Sequence, residues 1–185
     1  MVEELLKDAN GRMDKTVAAL RREYAGLRAG RATPALLERV RVDYYGVPTP
    51  INQLATVLVP EARLLVIQPW DKTVVDAVER AILKSDLGIT PSVDGQVIRL
   101  AIPRLTAERR KELTKVVRKQ AEEARVSIRN IRRELIDDLR SLEKDGDITE
   151  DDFRRAQDKT QKLTDELVGA VDSVLAEKEK ELTEV

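Results

Sequence analysis

The positions of the prolines constrain the fold of this chain more than any other feature of its sequence. All seven prolines lie between Pro34 and Pro103, and the residues on either side of that segment contain none. Proline removes a backbone donor and breaks helix interiors, so only the flanks are free to form long helices. The sequence therefore predicts long helices at both ends and a different kind of structure between them.

Apolar residues recur at helical spacing in both flanks. In the first flank the stripe is Met13, Val17, Leu20, Tyr24 and Leu27, and Gly30 with Thr33-Pro34 is expected to end the helix. In the second flank a first stripe comprises Leu113, Val117, Ala121, Ala124, Ile128, Ile131, Leu135, Leu139 and Leu142. A second stripe there comprises Phe153, Ala156, Thr160, Leu163, Leu167, Ala170, Val174 and Leu182. The two later helices should each run about 50 Å or more.

The junction between the last two helices carries the clearest local signal in the chain. Lys144-Asp145-Gly146 should end one helix, and Thr149 should cap the next, with acidic residues in its first turn. Ile148 and Phe153 are placed as a hydrophobic staple, and Thr106 could cap the preceding helix. The acidic cluster does not have calcium-loop spacing, and acids favour helix N-termini, so no metal site is predicted. Its members are Asp145, Asp147, Glu150, Asp151 and Asp152.

The middle segment has the short β-branched or alternating runs that are typical of strands. We expect strands within 37–45, 55–59, 63–67 and 96–102, and one helix over 71–87 that starts near Asp71 and precedes Gly88. The predicted fold class is α+β, an elongated three-helix bundle with an inserted small β/α domain. The bundle would comprise 1–29 and 106–185, and the insertion 30–105.

Two adjacent connections, 28–34 and 103–106, join the predicted domains and therefore predict a hinge. Gly30 can adopt backbone angles closed to other residues, whereas prolines restrict the chain at the outer edge. The predicted hinge residues are Ala29, Gly30, Ala32, Pro34, Pro103, Arg104 and Leu105.

The composition argues against most enzymes. The chain has neither cysteine nor histidine, which removes thiol nucleophiles, imidazole bases and the commonest zinc ligands. It also lacks a glycine-rich phosphate loop. An enzymatic alternative would place a site around Asp71, Asp76 and Glu79, but we expect no enzyme, no cofactor and no metal. No window resembles a membrane span or a signal peptide, so the chain is expected to be cytoplasmic.

Charge is segregated along the chain although the formal net charge is only −1. Residues 109–133 contain ten Lys or Arg against three Glu, whereas residues 134–152 contain two basic against nine acidic residues. Within the basic stretch Lys111, Arg118, Arg125 and Arg132 recur every seven residues and form one column on a helix, with Arg129 beside it. Such a column suits the phosphates of folded RNA. The alternative is a solvated face with salt bridges such as Arg118 to Glu122.

Tyr44-Tyr45-Gly46, followed by Pro48 and Pro50, allows two interpretations. Paired tyrosines beside a turn could stack on RNA bases, or they could simply pack against their own domain. The second interpretation is the commoner one.

Six motifs in order along the chain resemble bacterial ribosome recycling factors. They are Gly30-Arg31-Ala32-Thr33-Pro34, Asp43-Tyr44-Tyr45-Gly46, Val59-Pro60-Glu61-Ala62-Arg63, Ser85-Asp86-Leu87-Gly88, Leu105-Thr106-Ala107-Glu108-Arg109-Arg110 and Val126-Ser127-Ile128-Arg129-Asn130-Ile131-Arg132-Arg133. The resemblance covers essentially the whole chain, without a large insertion.

This resemblance implies an L-shaped, two-domain molecule similar to transfer RNA in outline, which acts on the ribosome after termination. It implies that the helical domain binds large-subunit RNA near the intersubunit bridges. The translocating elongation-factor GTPase would then act with it to separate the subunits, and the factor itself hydrolyses nothing. The implied RNA contact is Arg132 with Arg129 as its neighbour, and Arg28 and Arg31 are the implied basic residues at the hinge. The full set of predicted RNA-binding residues is Arg132, Arg129, Arg133, Arg125, Arg118, Lys111, Arg110, Arg28 and Arg31.

The residues alone leave a structural alternative open. A helical-bundle adaptor that binds a partner helix would show the same apolar stripes. A salt-sensitive affinity for large-subunit RNA separates the two, because release of counterions scales with the number of phosphate contacts. We expect the chain to act as a monomer.

Overall fold

The computed structural model describes residues 1–27 and 30–184. The chain divides into two compact units, one formed by Met1–Tyr24 with Ala107–Glu184 and the other by Ala25–Thr106. The first unit is helical and the second contains both sheets, so the predicted α+β class is confirmed. Within the described residues, no helix is long and apolar enough to cross a membrane.

The helical unit contains three helices: α1 at Val2–Ala25, α3 at Ala107–Lys144 and α4 at Glu150–Thr183. At 38 and 34 residues, α3 and α4 are about 57 and 51 Å long. They pack against each other along their length. The predicted apolar stripe of α3 is buried from Leu113 to Leu139, and only Leu142 at its end is half-buried.

Helix α1 ends earlier than the sequence predicted. Its last residue is Ala25, five positions before Gly30, and Gly26 follows at once. Glycine in a helix interior costs about 1 kcal/mol relative to alanine, which favours termination there. Met13, Val17, Leu20 and Tyr24 are buried as predicted.

The inner face of α4 differs in part from the predicted stripe. Ala156, Thr160, Leu167, Val174 and Leu182 are buried, whereas Phe153, Leu163 and Ala170 are only half-buried. Thr164, Val171 and Lys178 are also buried, although the predicted stripe did not include them. Threonine can be buried here because its hydroxyl donates to the carbonyl one turn earlier, as Thr164 does to Thr160 at 2.8 Å.

The second unit contains two antiparallel sheets and one α-helix. Strands β1 (Arg41–Tyr44) and β2 (Val47–Pro50) form a hairpin. Strands β3 (Ala55–Glu61), β4 (Leu64–Pro69), β5 (Ser92–Asp94) and β6 (Val97–Ala101) form a sheet in the order β3-β4-β6-β5. Helix α2 covers Val75–Lys84. Short 3-10 helices occupy Pro34–Leu37, Ile51–Gln53 and Lys72–Val74. The core joins sheet residues such as Ile67 and Ile98 to Val78 and Ile82 of α2.

All four predicted strand regions contain a strand, but β2 and β5 were not predicted. β2 contains Pro48 and Pro50, which cannot donate to a ladder and are tolerated because β2 pairs on one side only, with β1. β5 is only three residues long. The predicted strand region 37–45 overlaps a 3-10 helix at Pro34–Leu37, because proline favours the first helical position. The strand in this region therefore begins only at Arg41.

Both connecting segments of the second unit attach to the turn between β3 and β4. Ala32 N donates to Ala62 O at 2.8 Å, and Ile102 N donates to Arg63 O at 2.8 Å. One turn therefore holds the segments through which the chain enters and leaves this unit.

Candidate RNA-binding surface on helix α3

The predicted basic column lies along the border between the buried stripe of α3 and its exposed face. Lys111 and Arg118 are exposed, whereas Arg125 and Arg132 are half-buried. Seven residues further, the column reaches Leu139, which is fully buried. The column therefore flanks the packed face, and its three arginines contact side chains of α4.

Two arginines of the column form ion pairs with carboxylates on α4. Arg118 Nε lies 2.5 Å from Glu179 Oε1, and Arg125 Nη2 lies 2.6 Å from Asp172 Oδ1. Arg125 Nε also donates to the same Asp172 oxygen at 2.8 Å. These contacts neutralise the two guanidinium groups within the folded chain.

Glu122 pairs with other arginines than the one the sequence suggested. Arg118 reaches across to α4, and Glu122 accepts instead from Arg129 Nη2 at 2.7 Å and Arg125 Nη1 at 3.2 Å. These bonds, that from Arg129 first, lower the pKa of Glu122 below its ordinary value. The bond with Asp172 is the main cause that raises the pKa of Arg125. Glu122 therefore stays ionised at neutral pH and compensates the charge beside it.

Arg132 differs from the other two arginines that face α4. Its Nη1 donates to the neutral amide oxygen of Gln161 at 3.4 Å, and no carboxylate within residues 1–27 and 30–184 pairs with it. Gln161 Nε2 in turn donates to Asp165 Oδ1 at 2.8 Å. The guanidinium of Arg132 thus forms one long hydrogen bond to a neutral group of α4, and its charge remains uncompensated.

The remaining predicted RNA-binding residues are distributed over both units. Lys111 and Arg133 are exposed on α3, Arg110 is half-buried there, and none of the three forms an ion pair with another described residue. Arg31 is exposed in the second unit, and Arg28 lies outside the described residues. Sequence reasoning did not select the exposed Lys115 and Lys119, although both lie within the basic stretch. It also missed Gln161, whose role depends on the alignment of α4 with α3.

Six of the seven predicted hinge residues are described, and they lie in the second unit around a close backbone approach. Gly30 has a φ of +71°, and a Cβ built on it would lie 3.2 Å from Leu105 Cγ. Ala32 is buried, Leu105 is half-buried, and Pro34, Pro103 and Arg104 are exposed. Ala29 lies outside the described residues. Glycine at position 30 therefore meets both a conformational and a steric requirement.

The other candidate groups have local structural roles. Asp71 Oδ1 accepts from Thr73 N at 2.9 Å and caps the 3-10 helix, as expected for a helix start, and this bond lowers its pKa. Asp152 likewise belongs to the cap of α4. Among residues 1–27 and 30–184, no group of three Asp or Glu is arranged to hold a metal ion.

The two adjacent tyrosines have different environments. Tyr44 packs against the core of the second unit, whereas the side chain of Tyr45 is 79% exposed and its φ is +50°. The two rings contact each other edge to face, with their centroids 4.7 Å apart. Tyr44 therefore packs against the core, whereas Tyr45 packs on the ring of Tyr44.

Comparison with known proteins gives concordant results at the level of sequence and fold. A family model described as ribosome recycling factor matches residues 20–183. The ribosome-recycling factors of Pelotomaculum thermopropionicum and Bacillus subtilis are 61% and 58% identical over 185 residues, covering 100% of each chain.

Solved structures resemble the chain over its full length. A solution structure of ribosome recycling factor has a TM-score of 0.80 and 43% identity, covering 100% of this chain and 98% of that chain. Another is the T. thermophilus ribosome recycling factor, described together with E. coli elongation factor G bound to the E. coli post-termination complex. Its TM-score is 0.69 at 46% identity, with both chains covered completely.

The helical unit, the inserted sheet unit and these matches define a translation factor that is not an enzyme. The chain belongs to the ribosome recycling factor family.

Proposed function

We propose that this chain binds the post-termination ribosome and, together with the translocating elongation-factor GTPase, separates the subunits for a new round of translation. Membership of the family supports a role in recycling, and the neighbour described with elongation factor G supports the ribosome and the GTPase as partners. The site of action would be the cytoplasm.

The proposed RNA-binding surface is the basic side of α3, with Arg132 as its principal contact. The observation that carries this assignment is the charge of Arg132, which no described carboxylate compensates, whereas Arg118 and Arg125 are already paired. A paired arginine must release its carboxylate before it can bind a phosphate, so its net gain from RNA is smaller. Arg133, Lys111 and Arg110 add unpaired charge along the same helix.

We further propose that the two domains, 1–29 with 106–185 and 30–105, have separate tasks and move about the connections between them. The helical domain would bind the large subunit, while the smaller domain turns as the subunits separate. Hinges are usually a few loop residues that absorb changes in backbone angles, and two short connections suit that role.

The binding assignment is tested by comparing Arg132→Ala with Arg118→Ala in affinity for large ribosomal subunits. A charge-assisted contact to phosphate contributes about 1.5–3 kcal/mol, so Arg132→Ala should weaken binding on the order of tenfold or more. The slope of log affinity against log salt concentration should also fall in magnitude by about one.

Arg118→Ala is the matched control, since it removes an arginine of the same column that Glu179 already neutralises. It should weaken binding clearly less than Arg132→Ala. Circular dichroism must show equal helicity in both variants. Equal affinities of the two variants would contradict the choice of Arg132 as principal contact.

The recycling activity is tested by light scattering of purified post-termination ribosomes with this protein, the elongation-factor GTPase and GTP. Scattering should fall only when all three are present. If scattering is unchanged with all three, the chain does not separate subunits, and an adaptor that binds a partner helix becomes the better description.

A further inference from the structure

Helices α3 and α4 present four equivalent layers along the border that carries the basic column. The first three layers combine an arginine of the column with an acidic residue on α4, the fourth combines a leucine with an acidic residue, and successive layers are seven residues apart on both helices. The first two layers are the ion pairs Arg118–Glu179 and Arg125–Asp172. Continuing the same register places Arg132 opposite Asp165 in the third layer and Leu139 opposite Asp158 in the fourth.

The third layer has the residues of the second but not its ion pair. Arg132 and Asp165 are the same residue types as Arg125 and Asp172, yet Arg132 contacts Gln161, and Asp165 accepts from Gln161. Gln161 stands four residues before the acid. The equivalent positions before Asp172 and Glu179 are Val168 and Leu175, whose side chains can form no hydrogen bond.

The amide of Gln161 suits both neighbours at once. Its NH₂ group donates to the Asp165 carboxylate at 2.8 Å, and its oxygen accepts from the Arg132 guanidinium at 3.4 Å. A neutral amide orients the guanidinium without cancelling its charge.

We propose that Gln161 is a positioning residue that engages Asp165 and thereby keeps Arg132 free to bind ribosomal RNA phosphate. This inference rests on the proposed function of Arg132. Without the amide, Asp165 pairs with Arg132 as Asp172 pairs with Arg125, and the ion pair must break before RNA can bind.

The test measures affinity for large ribosomal subunits in full-length variants. Gln161→Leu gives the third layer a leucine, as Leu175 does in the first layer. This variant should weaken binding about two- to fivefold, the strength of an exposed ion pair. Adding Asp165→Asn to the same chain removes the competing carboxylate and should restore the affinity. A merely structural role of Gln161 would not be rescued by a change in a second residue.

Asp158→Asn combined with Gln161→Leu is the matched control. Asp158→Asn removes one negative charge, as Asp165→Asn does. Asp158 lies seven residues before Asp165, where the register of the two helices places it opposite the apolar Leu139. This double variant should bind as weakly as Gln161→Leu alone. If it recovers as fully as the variant with Asp165→Asn, the rescue is a general effect of charge and the inference is wrong.

Gln161→Glu should also pair Arg132 with a carboxylate, because it places one directly beside the guanidinium. It should weaken binding at least as much as Gln161→Leu, and on an Arg132→Ala background it should have little further effect. If Gln161→Leu and Gln161→Glu both bind as tightly as the unmodified protein while Arg132→Ala binds weakly, the role of Gln161 is wrong and that of Arg132 stands. If Arg132→Ala also binds tightly, the proposed RNA contact itself fails.

Discussion

Tyr24 shows how the helical unit accommodates a polar atom in its core. The side chain is buried, and its hydroxyl donates to the backbone carbonyl of Val117 on α3. The apolar periodicity of α1 predicted that Tyr24 faces inward, because that requires only local spacing. The partner of its hydroxyl lies far away in the chain, so spacing could not reveal it.

Tyr24→Phe should lower the free energy of unfolding by about 1 kcal/mol, the usual net value of one hydrogen bond. Burial raises the pKa of Tyr24 to about 12 from its ordinary value of 10. The neutral phenol therefore contributes stability that is complete below pH 10 and is lost as the pH rises to about 12. Urea unfolding at pH 8 and at pH 11 should show a smaller difference between variant and unmodified protein at the higher pH. A difference that grows with pH would contradict this account.

Gly30→Ala should destabilise the second unit for two reasons. The φ of +71° costs an L-residue about 1 kcal/mol or more, and the added Cβ presses on Leu105. Gly46→Ala is the control, because Gly46 has a φ of +82° with nothing within 4 Å of the added Cβ. Thermal unfolding should show a greater loss for Gly30→Ala than for Gly46→Ala. Equal losses would mean that Leu105 moves aside at no cost.

At the scale of elements, the start of α4 is a capping box that the sequence predicted almost completely. Thr149 Oγ1 accepts from Asp152 N at 3.1 Å, and Thr149 N donates to Asp152 Oδ2 at 3.1 Å. Thr149 was predicted as the cap and Asp152 as one of the acids that follow. The whole arrangement spans four residues, which is why sequence reasoning could find it.

Thr149→Ala should lower the free energy of unfolding by about 1 kcal/mol at neutral pH. Thr149→Ser should keep most of the stability of the unmodified protein, because serine can cap the helix in the same way. The bonds with Thr149 are the main cause that lowers the pKa of Asp152 below its ordinary 3.8. A lowered acid pKa contributes stability that is present above the ordinary value and is lost as the pH falls through the folded-state value. The difference between Thr149→Ala and the unmodified protein, measured by urea unfolding, should therefore shrink below about pH 4. A constant difference from pH 7 to pH 3 would show that the carboxylate plays no part.

Other element boundaries were harder to predict, because competing signals are decided by packing. The end of α1 could have fallen at Gly26 or Gly30, and the chain uses the first. β2 carries two prolines that locally argue against a strand, yet it pairs with β1 through the hairpin turn at Tyr45-Gly46. The inner face of α4 includes Thr164 and Lys178, which no hydrophobic pattern selects.

At the scale of the whole molecule, the proposed hinge can be tested by restraining it. The chain contains no cysteine, so one cysteine introduced into each unit gives a unique pair for a thiol cross-linker. A short cross-linker should leave binding to the large subunit intact but stop subunit separation, with activity restored on cleavage of the linker. A long flexible linker on the same pair is the control and should permit recycling. Normal recycling with the short linker would mean that the two units act as one rigid body.

The sequence by itself determined the number and kind of elements and the position of the basic column. These features depend on residues close in the chain: prolines confined to one segment, stripes spaced by three and four, and a cap followed by acids. Helical periodicity placed Arg118, Arg125 and Arg132 in one line, but it did not show which of them is paired with a carboxylate.

Only the tertiary structure decided which of these arginines is neutralised. The alignment of α4 against α3 places Glu179 beside Arg118 and Asp172 beside Arg125. It places the neutral Gln161 beside Arg132. That alignment arises from the packing of two long helices, and no local pattern of charges encodes it. The charge available to a ligand is therefore a property of the folded pair of helices, because a carboxylate beside a guanidinium reduces its attraction for phosphate.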